Sequence, residues 1–297
     1  MVKGNWIKTT AAAILITAYI LFVFWDSLHT NSLRKEYREL HLSNIKRLDK
    51  IYGIILGGSN SVYGISADML TKKTDHNWYN ASLKSEGETV EQFDKFVRGI
   101  SNVSDKSSIK TVIYSSIKPF FRGEIEAYRQ AAPEGSDFKL GLYPSRSALS
   151  YLKTLIVHGT LEPPYDRASV VGDFDFDLVS CDGYLNVEVT EVENLNTAAD
   201  FLVSRAVFLA TVFSSAKVIV LVPNDSEFDS FRYKYGGELI ILANRILMET
   251  RPQLSGRVEF FFQRYAIPAN AICDKAYHAN SYGRSLRTTD LLNRLGY

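Results

Sequence analysis

Four apolar runs recur along the chain: YGIILGG (52–58), IKTVIYSSI (109–117), AKVIVLVPND (216–225) and RVEFFFQ (257–263). Each is rich in β-branched and aromatic residues and is apolar at successive rather than alternate positions. A strand of that kind is buried on both faces. WYNAS (78–82) reads as a further, shorter strand. Helical patterns lie between the runs. In ETVEQFDKFVRGI (88–100) the apolar stripe is Val90, Phe93, Val97 and Ile100, widened by Phe96. SRSALSYLKTLIVHG (145–159), TAADFLVSRAVFLATVF (197–213) and LRTTDLLNRL (286–295) read as helices, and FRYKYGGELIILANRILMET (231–250) as a helix interrupted or opened by Gly236 and Gly237. Strand–helix alternation with two-sided strands predicts an α/β fold, a three-layer parallel sheet flanked by helices. With 297 residues, 46% of them apolar, the chain can build such a core.

Before the first run the composition changes. Thr9 to Trp25 carries no charge and has Trp6 and Trp25 at its two ends. This stretch of about 17 residues is near the lower limit for a membrane-spanning helix, and terminal aromatic rings favour the bilayer interface. No small-x-small cleavage signal follows it; the next residues are DSLHT. The expectation is an uncleaved single-pass anchor within residues 1–27. Residues 28–50 then form a charged helical stalk, a solvated connector with a thin apolar stripe, and 51–297 the globular domain. Residues 160–190, with two prolines, several aspartates and little periodicity, read as an irregular insertion in that domain. A net charge of +1 gives no global basic field, so nucleic acid is not expected as a partner. Cys181 and Cys273 make neither a disulfide framework nor a zinc site, although they can form one bridge in an oxidising compartment.

The first strand ends in LGGSNSVYG, so that Gly57 and Gly58 lead directly to Ser59. The stretch lacks the lysine of a phosphate loop and the GxGxxG of a dinucleotide loop. It is either a bare strand-to-helix turn or a nucleophile on a strand tip. Ligands of parallel sheets bind beyond the carboxyl ends of the strands, where Ser59 falls. At the other end, CDKAYHANSYGR places Asp274 and His278 in a loop after the last strand. A serine hydroxyl needs a base to take its proton. A histidine can do so near neutral pH, oriented by a carboxylate. The first and last strands can bring Ser59, His278 and Asp274 to one sheet edge.

These stretches resemble the SGNH (GDSL-like) hydrolase superfamily, in its membrane-anchored branch acting on O-acyl groups of bacterial polysaccharides. GGSNS matches the nucleophile block at Ser59. YNASLKSEGETVEQ (79–92) is similar to the second block, and DKAYHANSYGR to the closing Asp–His block. The resemblance implies a Ser59–His278–Asp274 triad. Gly58, Asn60, Asn80, Gly87 and Ser116 are its candidates for the oxyanion and substrate contacts, with no cofactor. It also implies a periplasmic domain on the bacterial inner membrane, held through residues 9–25. The activity it implies is O-acyl transfer to, or removal from, an exopolysaccharide or cell-wall glycan. An acyl donor and a glycan acceptor would be the partners, and by analogy a membrane acyl carrier or a polysaccharide synthesis complex.

The sequence also departs from the family pattern. Three residues, not two, separate Asp274 from His278, which keeps Asp290 and Asp225 as weaker orienters. Ser82 or Leu83 can stand in the place assigned to Gly87. The third block's Gly-x-Asn-Asp is missing, and IYSSIKPFFRG offers only Ser115 or Ser116 nearby. Two further readings therefore stand beside the enzyme: a catalytically inactive member that binds glycan or partners, and a lipase or thioesterase with an apolar trench. Arg122 is read as solvated, His76 as a surface residue, and GDFDFD (172–177) as lacking the spacing of a calcium loop.

Overall fold

The structure, a computed structural model, describes residues 17, 21, 35–48, 50–83, 89–105, 107–130, 171–173, 192–222, 230–262, 268–272 and 278–297. The chain divides into two compact units, Met1–Glu39 with Gly135–Asp166, and Leu40–Glu134 with Arg167–Tyr297. Of the first unit, Thr17 and Leu21 are helical. Most of the expected anchor, the helix at 145–159, nearly all of the 160–190 insertion and both cysteines lie outside the described residues.

The second unit carries the sheet. Helix α1 covers 35–47, with the residues from Leu40 onward in this unit. Strand β1 (Gly53–Gly57) leads to helices α2 (Ser59–Gly64) and α3 (Ala67–Thr74), then β2 (Trp78–Asn80), α4 (Val90–Val103) and β3 (Thr111–Ser115). Helices α5 (Glu124–Gln130) and α6 (Leu195–Val212) precede β4 (Lys217–Val222); α7 (Ser230–Thr250), β5 (Val258–Phe262) and α8 (Ser281–Leu295) complete the unit. The five strands form one parallel sheet in the order β2-β1-β3-β4-β5. The expected α/β architecture is present. Strands β1, β2 and β3 are buried along their whole length, and β4 beyond Lys217, because helices cover both faces. On one face Ile55, Ile113, Ile219 and Leu221 pack with Leu70, Leu291 and Leu292 of α3 and α8. On the other, Tyr114 meets Phe93 of α4.

Local chemistry sets the helix ends. The Thr89 hydroxyl accepts the Gln92 N–H and starts α4, and Asn280 accepts the Gly283 N–H and starts α8. That cap starts α8 five residues before the expected position at Leu286. Helix α7 runs unbroken through Gly236 and Gly237, correcting the expected interruption. The reason is tertiary: a Cβ on Gly236 would lie 2.4 Å from the Phe262 ring, so this glycine lets α7 approach β5. Helix α6 is the only described helix long and apolar enough to cross a bilayer. Phe201, Leu202, Ala206 and Leu209 are buried, so within this unit α6 is a core helix.

The charged segment before β1 is not solvated throughout, which corrects the stalk expectation. His41 and Ile45 of α1 are fully buried, and His41 Nδ1 lies 2.8 Å from the Tyr79 hydroxyl of β2. Burial lowers the His41 pKa from its ordinary value to about 3, which keeps the imidazole neutral.

Candidate active site

In a 2-1-3-4-5 sheet the chain direction across the sheet reverses between β1 and β3, and ligands of such sheets bind in the crevice beyond those two carboxyl ends. Gly57 of β1 pairs with Ser115 of β3 at that point. Gly57 has a φ of +140°, and a Cβ there would lie 2.0 Å from the Ser115 carbonyl oxygen. Only glycine fits this exit. Gly58 follows in extended conformation and donates its N–H to the same carbonyl at 3.1 Å. Ser59 then opens α2, partly exposed, while Asn60, Ser61, Val62, Tyr63 and Gly64 are buried. Ser59 is therefore partly exposed just beyond the carboxyl end of β1.

The polar residues around it are tied into the fold. Asn60 Nδ2 donates to Ser115 Oγ at 2.7 Å, and the Ser61 hydroxyl donates to the Ser115 carbonyl at 3.1 Å. Together these bonds join the start of α2 to the end of β3. Asn80, at the end of β2, donates to the carbonyls of Ile65 at 3.0 Å and Ser61 at 3.3 Å, and its Oδ1 accepts the Ser82 N–H. Asn80 thus holds the far end of α2, and both its amide hydrogens are engaged. Leu83 N–H is engaged as well, with the Gly57 carbonyl at 2.9 Å. The Ser116 hydroxyl accepts the Lys118 N–H at 3.2 Å, which shapes the exit from β3. Gly87, Asp274 and Asp225 lie outside the described residues.

His278 reaches the same helix. An antiparallel bridge between Ile272 and Ala279, with Asn280 N–H on the Ala271 carbonyl at 3.0 Å, fixes its backbone just before α8. Its ring lies 4.5 Å from the Tyr63 ring, centroid to centroid, at 48°, and both residues are 8% exposed. Helix α8 can come this close because Gly64 has no side chain. A Cβ there would lie 2.6 Å from Nη1 of the buried Arg287. Burial lowers the Arg287 pKa to about 10. Neither Tyr63 nor Arg287 was recognisable from sequence, since what singles them out are partners far along the chain, His278 for Tyr63 and Gly64 for Arg287.

Other candidates have structural places. Asp173, from the acidic run at 172–177, accepts the N–H groups of Ala67 at 2.7 Å and Asp68 at 3.0 Å and the Ser66 hydroxyl at 2.8 Å, which caps α3. Gly172 lets it approach, because a Cβ there would lie 2.0 Å from the Asn80 carbonyl oxygen. Among the described residues no cluster of His, Cys, Asp or Glu could hold a metal. His76 is exposed and stacks on Tyr52, and Arg122 is exposed. Asp290 is part-buried on α8.

No protein-family model matches the chain. No curated protein matches it either. Among solved structures it is similar to a family two carbohydrate esterase from Clostridium thermocellum, with a TM-score of 0.43 and 10% identity over 84% of this chain and 66% of that one. It is also similar to an acetyl xylan esterase from the rumen bacterium Butyrivibrio proteoclasticus, with a TM-score of 0.41 and 9% identity over 84% of this chain and 65% of that one. The chain spans just under two thirds of the length of each. At these values the likeness carries no functional argument.

Proposed function

We propose that this chain is a serine acyl-transfer enzyme, an esterase or O-acyltransferase acting on O-acyl groups of a glycan, with acetyl the expected group. One observation carries the reading. The partly exposed Ser59 opens α2 at the sheet's switch point, and His278 is held against the same helix. In the proposed reaction the Ser59 oxygen attacks the acyl carbonyl as His278 takes the hydroxyl proton. The tetrahedral intermediate collapses, the C–O bond to the departing alcohol breaks, and that alcohol takes the proton from His278. Water or a sugar hydroxyl then attacks the acyl-enzyme and gives its proton to His278; the acyl C–O bond to Ser59 breaks, and His278 returns the proton to the Ser59 oxygen. Asp274 is assigned to orient the imidazole. The Ser59 N–H is assigned to the oxyanion. Asn60 and Asn80 hold its helix rather than contacting the carbonyl, while Gly58 shapes the turn. The glycan substrate, the periplasmic side and the anchor at residues 9–25 are carried by the sequence resemblance and the composition of that segment.

A second reading has its own observation. The exit of β3 carries Ser115-Ser116-Ile117 where the resembled family has an oxyanion asparagine, and the amides of Asn80 and Gly58 are engaged internally. A missing oxyanion donor costs on the order of 10²–10³ in rate. A fold retained for binding alone would tolerate that loss. The full chain in detergent micelles, given an activated acetyl ester with and without an acetyl-free polysaccharide, separates the two. The enzyme reading expects acetate or acetylated glycan at a rate that Ser59→Ala lowers by about 10³-fold or more. Equal rates for wild type and Ser59→Ala would favour the binding reading.

A further inference from the structure

Two rings meet at this site, and the proposed triad does not include the second. Ser59 and Tyr63 are one turn apart, so they share a face of α2. A helical side chain leans toward its own N-terminus and covers the preceding turn. The Tyr63 ring therefore lies toward the turn that Ser59 opens, and the His278 ring rests on it at 4.5 Å. The backbone of His278 is fixed on one side by the Ile272–Ala279 bridge and by Asn280, whose amide donates to the Asn270 carbonyl at 2.7 Å. Those bonds place its Cα. The Tyr63 ring packs directly against the His278 imidazole.

We propose that Tyr63 is a positioning residue for the reaction: its ring is the wall that sets the plane of the His278 imidazole and so aims a ring nitrogen at Ser59. This rests on the serine-nucleophile reading above. The role belongs to the aromatic face, so phenylalanine should preserve it and an aliphatic side chain should not. Misplacing a base by about 1 Å can cost on the order of 10²-fold in rate.

The test uses the full-length chain in detergent micelles with 13C-labelled histidine. The His278 signal among the five histidines is assigned by its loss in His278→Gln. Two quantities are read for wild type, Tyr63→Phe, Tyr63→Leu and Tyr63→Met: the ring-current displacement of the His278 ring protons, and the rate of fluorophosphonate attachment to Ser59. Wild type and Tyr63→Phe should share the displacement and label within about twofold of each other. Tyr63→Leu and Tyr63→Met should lose the displacement and label about 10- to 100-fold more slowly. Methionine fills the space without a ring, so it keeps the comparison valid if leucine unfolds the protein. Wild-type labelling rates in the aliphatic variants would overturn the proposal, as would the absence of a displacement in the wild type. A displaced His278 signal with no labelling of wild type would instead overturn the serine nucleophile. The reaction role of Tyr63 would fall with it, and the contact would stand.

Discussion

Gly57 is the residue on which the site depends most. Its φ of +140° and its approach to the Ser115 carbonyl leave no room for a side chain. Gly57→Ala should destabilise the fold by about 3 kcal/mol, read from urea unfolding, because both the backbone and the neighbouring strand would have to shift. Asn80 is the second such residue. Asn80→Asp keeps the shape and the acceptor for Ser82 N–H, but removes two donors and sets an anion against the carbonyls of Ser61 and Ile65. It should cost about 2–3 kcal/mol, with the same measurement as the check. The places of Ser59 and His278 in the fold were legible in the sequence because they follow the first and last apolar runs. Tyr63 was not legible, since its significance comes from a partner far along the chain. The capping role of Asp173 was not legible either, because an acidic run shows its charge and not the N–H groups it accepts, which lie on α3.

The contact between α2 and α8 is the element on which the proposed chemistry turns. Gly64→Ala would push a methyl group against the buried Arg287 and separate the two helices. The expected cost is about 1–3 kcal/mol, with slower labelling of Ser59 as its functional counterpart. The docking of α1 makes a pH prediction. The His41 pKa is about 3 in the fold and near 6.5 in the unfolded chain, so below about pH 6.5 only the unfolded state takes up the proton. Stability then falls as pH falls, by about 1.4 kcal/mol per unit, down to the folded pKa. Between pH 7 and pH 5 this amounts to about 2 kcal/mol, and His41→Phe should lose that share of the pH dependence. Equal pH dependence in the variant would contradict the burial of a neutral imidazole. The longer elements were legible because hydrophobic runs and stripes are local signals. Helix α2 was not, because six residues are too few to show a stripe. The unbroken α7 was missed because the reason for Gly236 is the Phe262 ring on another element.

At the scale of the molecule, the strand order follows from the covering of both sheet faces, and the switch point follows from the strand order. This architecture brings together residues from the first and last parts of the domain. The sequence predicted the parallel sheet through its two-sided strands, but it did not show that α1 would be drawn into the domain. The thin apolar stripe of that segment hid a buried histidine, whose ordinary polarity argues for solvent until the Tyr79 hydroxyl is seen beside it. The proposed chemistry stands or falls with the reactivity that this fold gives to Ser59. Intact-protein mass spectrometry after treatment with a fluorophosphonate reads that reactivity directly, with wild type, Ser59→Ala and His278→Ala compared as folded samples. An activated serine predicts one covalent adduct on wild type, none on Ser59→Ala, and attachment slowed by about 10²-fold or more in His278→Ala. A folded wild type that takes up no adduct, or an adduct that persists in Ser59→Ala, would contradict it.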